Sequence, residues 1–244
     1  MIENDMENDI DVQLDERSSS TRTTASGQIT IRRDAVMDDL TAAFSDPTVT
    51  NCRLSFCMFQ PHGEVEYEQG VNLDFKDVLD LFWPEFISTM TRGNGLKIPI
   101  LRGDFDRSRW EGVGRIICKG WKDLNYFPKM LAPAFMETAV YGKTTVDTKE
   151  AFLQWIPEAE REVLEAALHE FPTDTAELDD IFRRYRCRTP PTEQNLPRLL
   201  TAFGHVEFVQ RSYYAAMTMK PVLKSVFGQF SREEFLALYD NPRE

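Results

Sequence analysis

The chain has 244 residues, 42% of them apolar and 11% aromatic, enough for one large domain or a domain with a smaller lobe. Its formal charge of −12 argues against a nucleic-acid binder that works by neutralising phosphates, and no apolar run approaches the roughly 18 residues of a membrane span. The acidic start lacks the basic and apolar segments of a secretory signal, so the sequence predicts an intracellular protein, cytoplasmic or nuclear, with four reduced cysteines rather than a disulfide framework.

Residues 1–28 read as a disordered tail. Seven acids (Glu3, Asp5, Glu7, Asp9, Asp11, Asp15, Glu16) precede a Ser/Thr-rich run, and no apolar period crosses it. Inside it, Ile10-Asp11-Val12-Gln13-Leu14 alternates like a short strand that can add to a partner's sheet edge, as a small-modifier-binding motif would; a plain solvated tail has the same composition. Order is expected from Ile29, in one domain spanning 29–244. A helix over 33–44 turns Val36, Met37, Leu40 and Phe44 inward, and 51–59 alternates as a strand with Cys52, Leu54, Phe56 and Met58 on one face. A turn at Gln60–Gly63 follows. A long helix over 74–90 carries Val78, Leu79, Leu81, Phe82, Phe86 and Ile87, with a kink or break expected at Pro84, which lacks the amide hydrogen of an interior position.

The segment 110–142 is the most informative. Trp110, Val113, Ile116, Ile117, Trp121 and Leu124 recur at helical spacing, and Gly112, Gly114 and Gly120 lie within the same helix. Each glycine costs about 1 kcal/mol against alanine, so three of them imply close helix–helix approach. A second helix starts near Ala132-Pro133 and stops at Gly142. Beyond it the periodicity predicts short helices over 149–156, 157–171, 175–185, 192–203, 207–219 and 231–239, the last opened by a Ser231/Glu234 capping box. The expected class is mainly α, or α+β with few short strands.

Several patterns imitate chemistry. Gly142-Lys143-Thr144 looks like the end of a phosphate loop, but Glu137 stands where that loop needs glycine; Gly112-Val113-Gly114 lacks the third glycine of a dinucleotide fingerprint. Cys52, Cys57 and His62 are five apart, which on a strand puts the two thiols on opposite faces and excludes a shared metal. Glu64, Glu66 and Glu68 have no apolar pocket to separate their pKa values, and His62, His169 and His205 have no partner at a catalytic spacing. No metal or cofactor is expected. Cys187 sits among Arg183, Arg184, Arg186 and Arg188, which favour a thiolate if the site is exposed; a plain helix-end cysteine is the alternative.

Six segments, in order, resemble the HECT ubiquitin ligase domain, specifically its N-terminal lobe, and most nearly the divergent proteins called G2/M-phase-specific ubiquitin ligase-like. They are Ile31–Leu40 (the family's "R-R-x-x-hydrophobic-x-D" helix), Glu68–Phe75 (D-G-G-V-x-R-E-F), Val113–Ile117 ("lGrll"), Ala134–Gly142 ("aFyklLlG"), Pro191–Asn195 ("vTeeN") and Gly228–Phe235 ("Fs.eEL"). Gln69 and Leu73 depart from the pattern. The resemblance implies a place in ubiquitin transfer, with a ubiquitin-conjugating enzyme and ubiquitin as partners and no nucleic acid or membrane. It implies a small docking subdomain at 145–190, where Phe152, Trp155 and Ile156 are the candidate apolar anchors, their alternative being packing onto their own lobe. It also implies that the lobe with the thioester cysteine would start after Tyr239, whereas the sequence stops at Glu244; no cysteine here matches the catalytic position. The expectation is a docking scaffold without its own thioester cysteine, or else a non-catalytic interaction module built on the same fold.

Overall fold

The computed structural model describes residues 26–59 and 71–240. The expected tail with its Ile10–Leu14 motif, the turn at Gln60–Gly63 and the Glu64, Glu66 and Glu68 series lie outside the described residues. Within them the molecule is mainly helical. Strands β1 (Ser26–Arg32), β2 (Arg53–Phe59) and β3 (Val71–Leu73) form one sheet in that order, β1 parallel and β3 antiparallel to β2; β4 (Thr91–Arg92) and β5 (Ile98–Pro99) form a two-stranded ribbon. Ten α-helices follow the chain: α1 (Val36–Ala43), α2 (Phe75–Met90), α3 (Arg107–Leu124), α4 (Pro133–Tyr141), α5 (Thr148–Trp155), α6 (Glu158–His169), α7 (Ala176–Arg184), α8 (Leu196–His205), α9 (Tyr213–Phe227) and α10 (Arg232–Ala237).

The helix pair over 110–142 forms as its sequence predicts. Asp106 caps α3, Asn125 ends it in the left-handed region, and α4 runs from Pro133 to a left-handed Gly142. The three glycines of α3 lie where neighbours come close. A Cβ on Gly112 would stand 2.7 Å from the Thr41 carbonyl oxygen of α1, whereas one on Gly114 would meet Val222 of α9 at an ordinary 3.4 Å. Trp110, Val113, Ile116 and Ile117 are fully buried in the resulting core, but Leu124, the last residue of α3, is 41% exposed.

Elsewhere the structure corrects the sequence. β1 replaces what reads as the approach to a helix, and α1 starts only at Val36, because Ile29 and Ile31 are drawn into the sheet beside Phe56 and Met58. Cys52 ends a 3-10 turn (Pro47–Asn51) and is not part of the strand face. Helix α2 passes Pro84 without a break. Pro84 and Asp80, whose carbonyl loses its partner there, are both exposed, so water can take the missing bond. Trp83 occupies the core position that the periodicity gave to Leu81, which is 39% exposed. The expected helix over 207–219 is instead a π-turn (Val206–Gln210), a junction at Ser212, and α9, which runs on past the exposed Pro221 to Phe227. Thr192 and Asn195 bind each other's backbone N–H groups and hold α8 back to Leu196. The predicted capping box at Ser231/Glu234 is present, as is a second at Asp74/Asp77.

Candidate functional site

The expected docking region, 145–190, begins at the loop after α4. Gly142 leaves the helix with φ +86°, and Lys143, Thr144 and Thr145 follow. The loop does not present its donors to solvent. Thr144 Oγ1 (2.7 Å), the Thr145 N–H (2.6 Å) and Thr145 Oγ1 (2.7 Å) all donate to the carboxylate of Glu137, one turn back on α4. Arg232 of α10 completes the arrangement with a guanidinium contact to the same carboxylate. Glu137 is wholly buried. Burial opposes its ionisation, but the bonds from Thr144, Thr145 and Arg232 outweigh that, and its carboxyl titrates below the ordinary glutamate range. Glu137 thus takes the threonine donors of the loop that resembled a phosphate site, while Lys143 stays exposed.

Asp147 accepts from the N–H groups of Lys149 and Glu150 and starts α5. Gly204 of α8 faces the Thr148 carbonyl with no room for a side chain, and Thr148 Oγ1 donates to the Thr201 carbonyl at 3.0 Å. This close crossing sets the inward face of α5 against α7 and α8. Phe152 meets Tyr185 edge-on at 4.9 Å and Phe203 at 5.7 Å, while Phe182 lies edge-on to Phe203 at 5.0 Å. Trp155 packs edge-on to Phe208 of the π-turn, and Arg92 lies over its ring at 5.4 Å. Gly93, at φ +112°, gives Trp155 the room a side chain would take.

The three candidate anchors are therefore core residues. Phe152 is 0%, Trp155 8% and Ile156 2% exposed, so none offers an apolar surface to a partner, and the packing alternative describes them. The structure brings them together with aromatic residues of α7 and α8 rather than with any face open to solvent.

Cys187 is half-buried at the end of α7. The N–H of Arg186 donates to the Arg183 carbonyl and that of Cys187 to the Phe182 carbonyl, both at 3.0 Å, while Arg186 takes a left-handed φ of 57°. This is a Schellman ending with an arginine at the position that favours glycine. Arg183 pairs with Asp180 at 2.7 Å and Arg184 with the buried Glu160, so two of the four arginines are spent on carboxylates. Glu160 also accepts from the Tyr185 hydroxyl at 2.9 Å; burial, reinforced by that bond, raises the Tyr185 pKa. Of the other thiols, Cys118 is buried and pushed up to about 12 by burial, and Cys52 Sγ donates to the Thr48 carbonyl.

Sequence patterns missed the three charges that organise this region: Glu137, Glu160 and Glu207. Each is a buried carboxylate that pairs with an arginine distant in sequence, Glu207 with Arg92 across 115 residues. The available signal was a lone acid on an otherwise apolar helix face, as in Phe135-Met136-Glu137-Thr138-Ala139. The arginine that answers it cannot be read from spacing. Among the described residues no group of three or more His, Cys, Asp or Glu is placed to hold a metal, and no helix is long and apolar enough to cross a membrane. No protein-family model matches the chain, and no curated protein matches it significantly.

Proposed function

We propose that these residues form a docking lobe related to the N-terminal lobe of HECT-type ubiquitin ligases, one that holds a ubiquitin-conjugating enzyme and ubiquitin without carrying the thioester itself. One observation supports this reading above the others: the polar residues of the resembling segments are spent on joining the lobe together. Arg32 binds Asp39 through its backbone N–H and its guanidinium. Arg115 reaches across to the Phe44 and Ser45 carbonyls, Thr192 and Asn195 close the turn before α8 on each other's N–H groups, and Ser231 and Glu234 cap α10. The D-G-G-V-like segment supplies β3 and the Asp74 cap of α2, its first residues lying outside the described ones. Such residues make a scaffold, whereas ubiquitin transfer between thioesters requires an accessible thiolate. Cys118 is buried with a raised pKa and Cys187 is half-buried in a helix ending.

The deciding experiment is a titration of the full chain with ubiquitin-charged conjugating enzymes, followed on non-reducing gels. Saturable binding without ubiquitin discharge is expected. Discharge onto Cys187 would make the lobe an acceptor, and absence of binding at about 100 μM would end the docking reading.

A second reading, a regulatory module for basic partners, is favoured by the surface of α6 and α7. There Glu162, Glu170, Asp174 and Glu177 rim a groove floored by Val163, Ala167 and Leu178, and these four carboxylates form no ion pairs among the described residues. Charge reversal of Glu162 and Glu177 would weaken a basic partner in a salt-dependent way and leave conjugating-enzyme docking elsewhere unchanged.

A further inference from the structure

A cleft of about 330 Å³ opens between one face of α3, the 3-10 turn at Pro47–Asn51, and the last turns of α9. Its α3 side is a stripe of Arg107, Glu111, Arg115, Lys119 and Lys122, residues that successive helical turns place above one another. The opposite wall is Pro221, Val222, Ser225 and Val226. In a chain whose net charge is −12, this is a cationic wall facing a mostly apolar one.

The pairing inside the cleft leaves a defined excess. Glu111 is shared: Arg107 Nε donates to one carboxylate oxygen at 2.9 Å and Arg115 Nη2 to the other at 3.1 Å. Arg115 is held rigidly, since its other terminal nitrogen donates to the Phe44 and Ser45 carbonyls. Lys119, 7% exposed, is fixed by the Cys52 carbonyl at 2.8 Å and by Asp123 at 2.9 Å. Lys122 is exposed and has no carboxylate partner among the described residues. Four cations against the carboxylates of Glu111 and Asp123, with Asp46 acting on Arg115 from the start of the 3-10 turn, leave a net positive charge in the cleft. Two of the cations are preorganised by backbone carbonyls, and two, Arg107 and Lys122, stand exposed at the mouth. Glu111, bridging two guanidinia, already occupies the place of an anion.

We propose that this cleft binds a phosphate monoester dianion, with Arg115 and Lys119, held by protein acceptors, supplying positive charge from the floor and Arg107 and Lys122 donating to the phosphoryl oxygens. Charge-assisted hydrogen bonds of this kind are the stronger class, and arginine forks match phosphate geometry. A free metabolite and a phosphorylated protein side chain carry the same group, and the test separates them.

The full chain is titrated by calorimetry with O-phosphoserine and, in parallel, with a short phosphoserine peptide, at low and at physiological salt. Saturable binding that weakens with salt is expected. A peptide at least about tenfold tighter than O-phosphoserine identifies a protein source; equal affinities identify a small molecule. Arg107→Glu with Lys122→Glu should weaken either probe by more than about tenfold, and both residues are exposed, so the fold stays intact. Glu111→Gln should tighten binding several-fold by freeing both guanidinia. No saturable binding of either probe by about 10 mM, or affinities unmoved by the double reversal or by Glu111→Gln, would overturn the proposal.

Discussion

The two halves of the lobe are packed by different means. Around α3 glycines let neighbours approach: Gly112 meets the backbone of α1, whereas Gly114 meets side chains of α9 and Gly120 the Leu79 side chain of α2. Around α5, large side chains make the contacts: Phe152, Phe182, Tyr185 and Phe203 form one aromatic cluster, anchored to the rest through Trp155 and Arg92. The backbone contact at Gly112 tolerates no added atom, and an aromatic cluster tolerates no lost one. The same lobe should therefore fail in opposite directions under substitution.

The largest effect belongs to the aromatic side. Phe152→Ala removes a fully buried ring from the centre of its cluster and should cost about 3–5 kcal/mol, read as a lower denaturation midpoint at unchanged slope. A smaller loss would mean that α5 repacks and that the cluster is less specific than its geometry. Next comes the link between the halves. Arg232→Met leaves the Glu137 carboxylate buried with only its threonine donors and should cost about 3 kcal/mol. On the backbone side, Gly112→Ala gains about 1 kcal/mol of helix propensity but drives a methyl against the Thr41 carbonyl, so a net loss of about 1–2 kcal/mol is expected. Gly114→Ala sharpens the contrast. Its methyl would find ordinary contact with Val222, so the variant should be neutral or more stable by up to about 1 kcal/mol. If both alanines behave alike, close approach is not what distinguishes the two positions.

Acidity probes the link in another way. Glu137 is ionised more readily in the folded chain than its ordinary value of 4.5, so its contribution is fully present above that pH and lost as pH falls through the lower folded value. Stability should decline below about pH 4.5, and Glu137→Gln should flatten that part of the profile. An unchanged profile would assign the acid loss to other carboxylates.

What the sequence made legible is local. The ends of α4, the Ser231/Glu234 box and the need for glycine in α3 all follow from interactions within a few residues or from a simple cost. What it hid is of two kinds. Pro84 reads as a break because the rule concerns a helix interior surrounded by protein, and it sits on the solvent side. β1 and the pairs of Glu137, Glu160 and Glu207 depend on partners that the chain supplies elsewhere. The burial of the candidate anchors has a related cause. Phe152, Trp155 and Ile156 carry the apolar, aromatic character of an interface, but a short helix has only one such face, and α7, α8 and the π-turn claim it first.

The pairing of Glu137 with Arg232 also sets an order of events. The two residues are 95 positions apart, and α4 can bury its carboxylate at full benefit only after α10 exists. On the ribosome, α3 and α4 are complete in sequence long before Arg232 emerges, so for that interval the middle of the chain holds an acid without its cation. Docking of α10 is then what completes the Glu137 site, and a chain lacking Arg232 would hold that buried carboxylate without its cation.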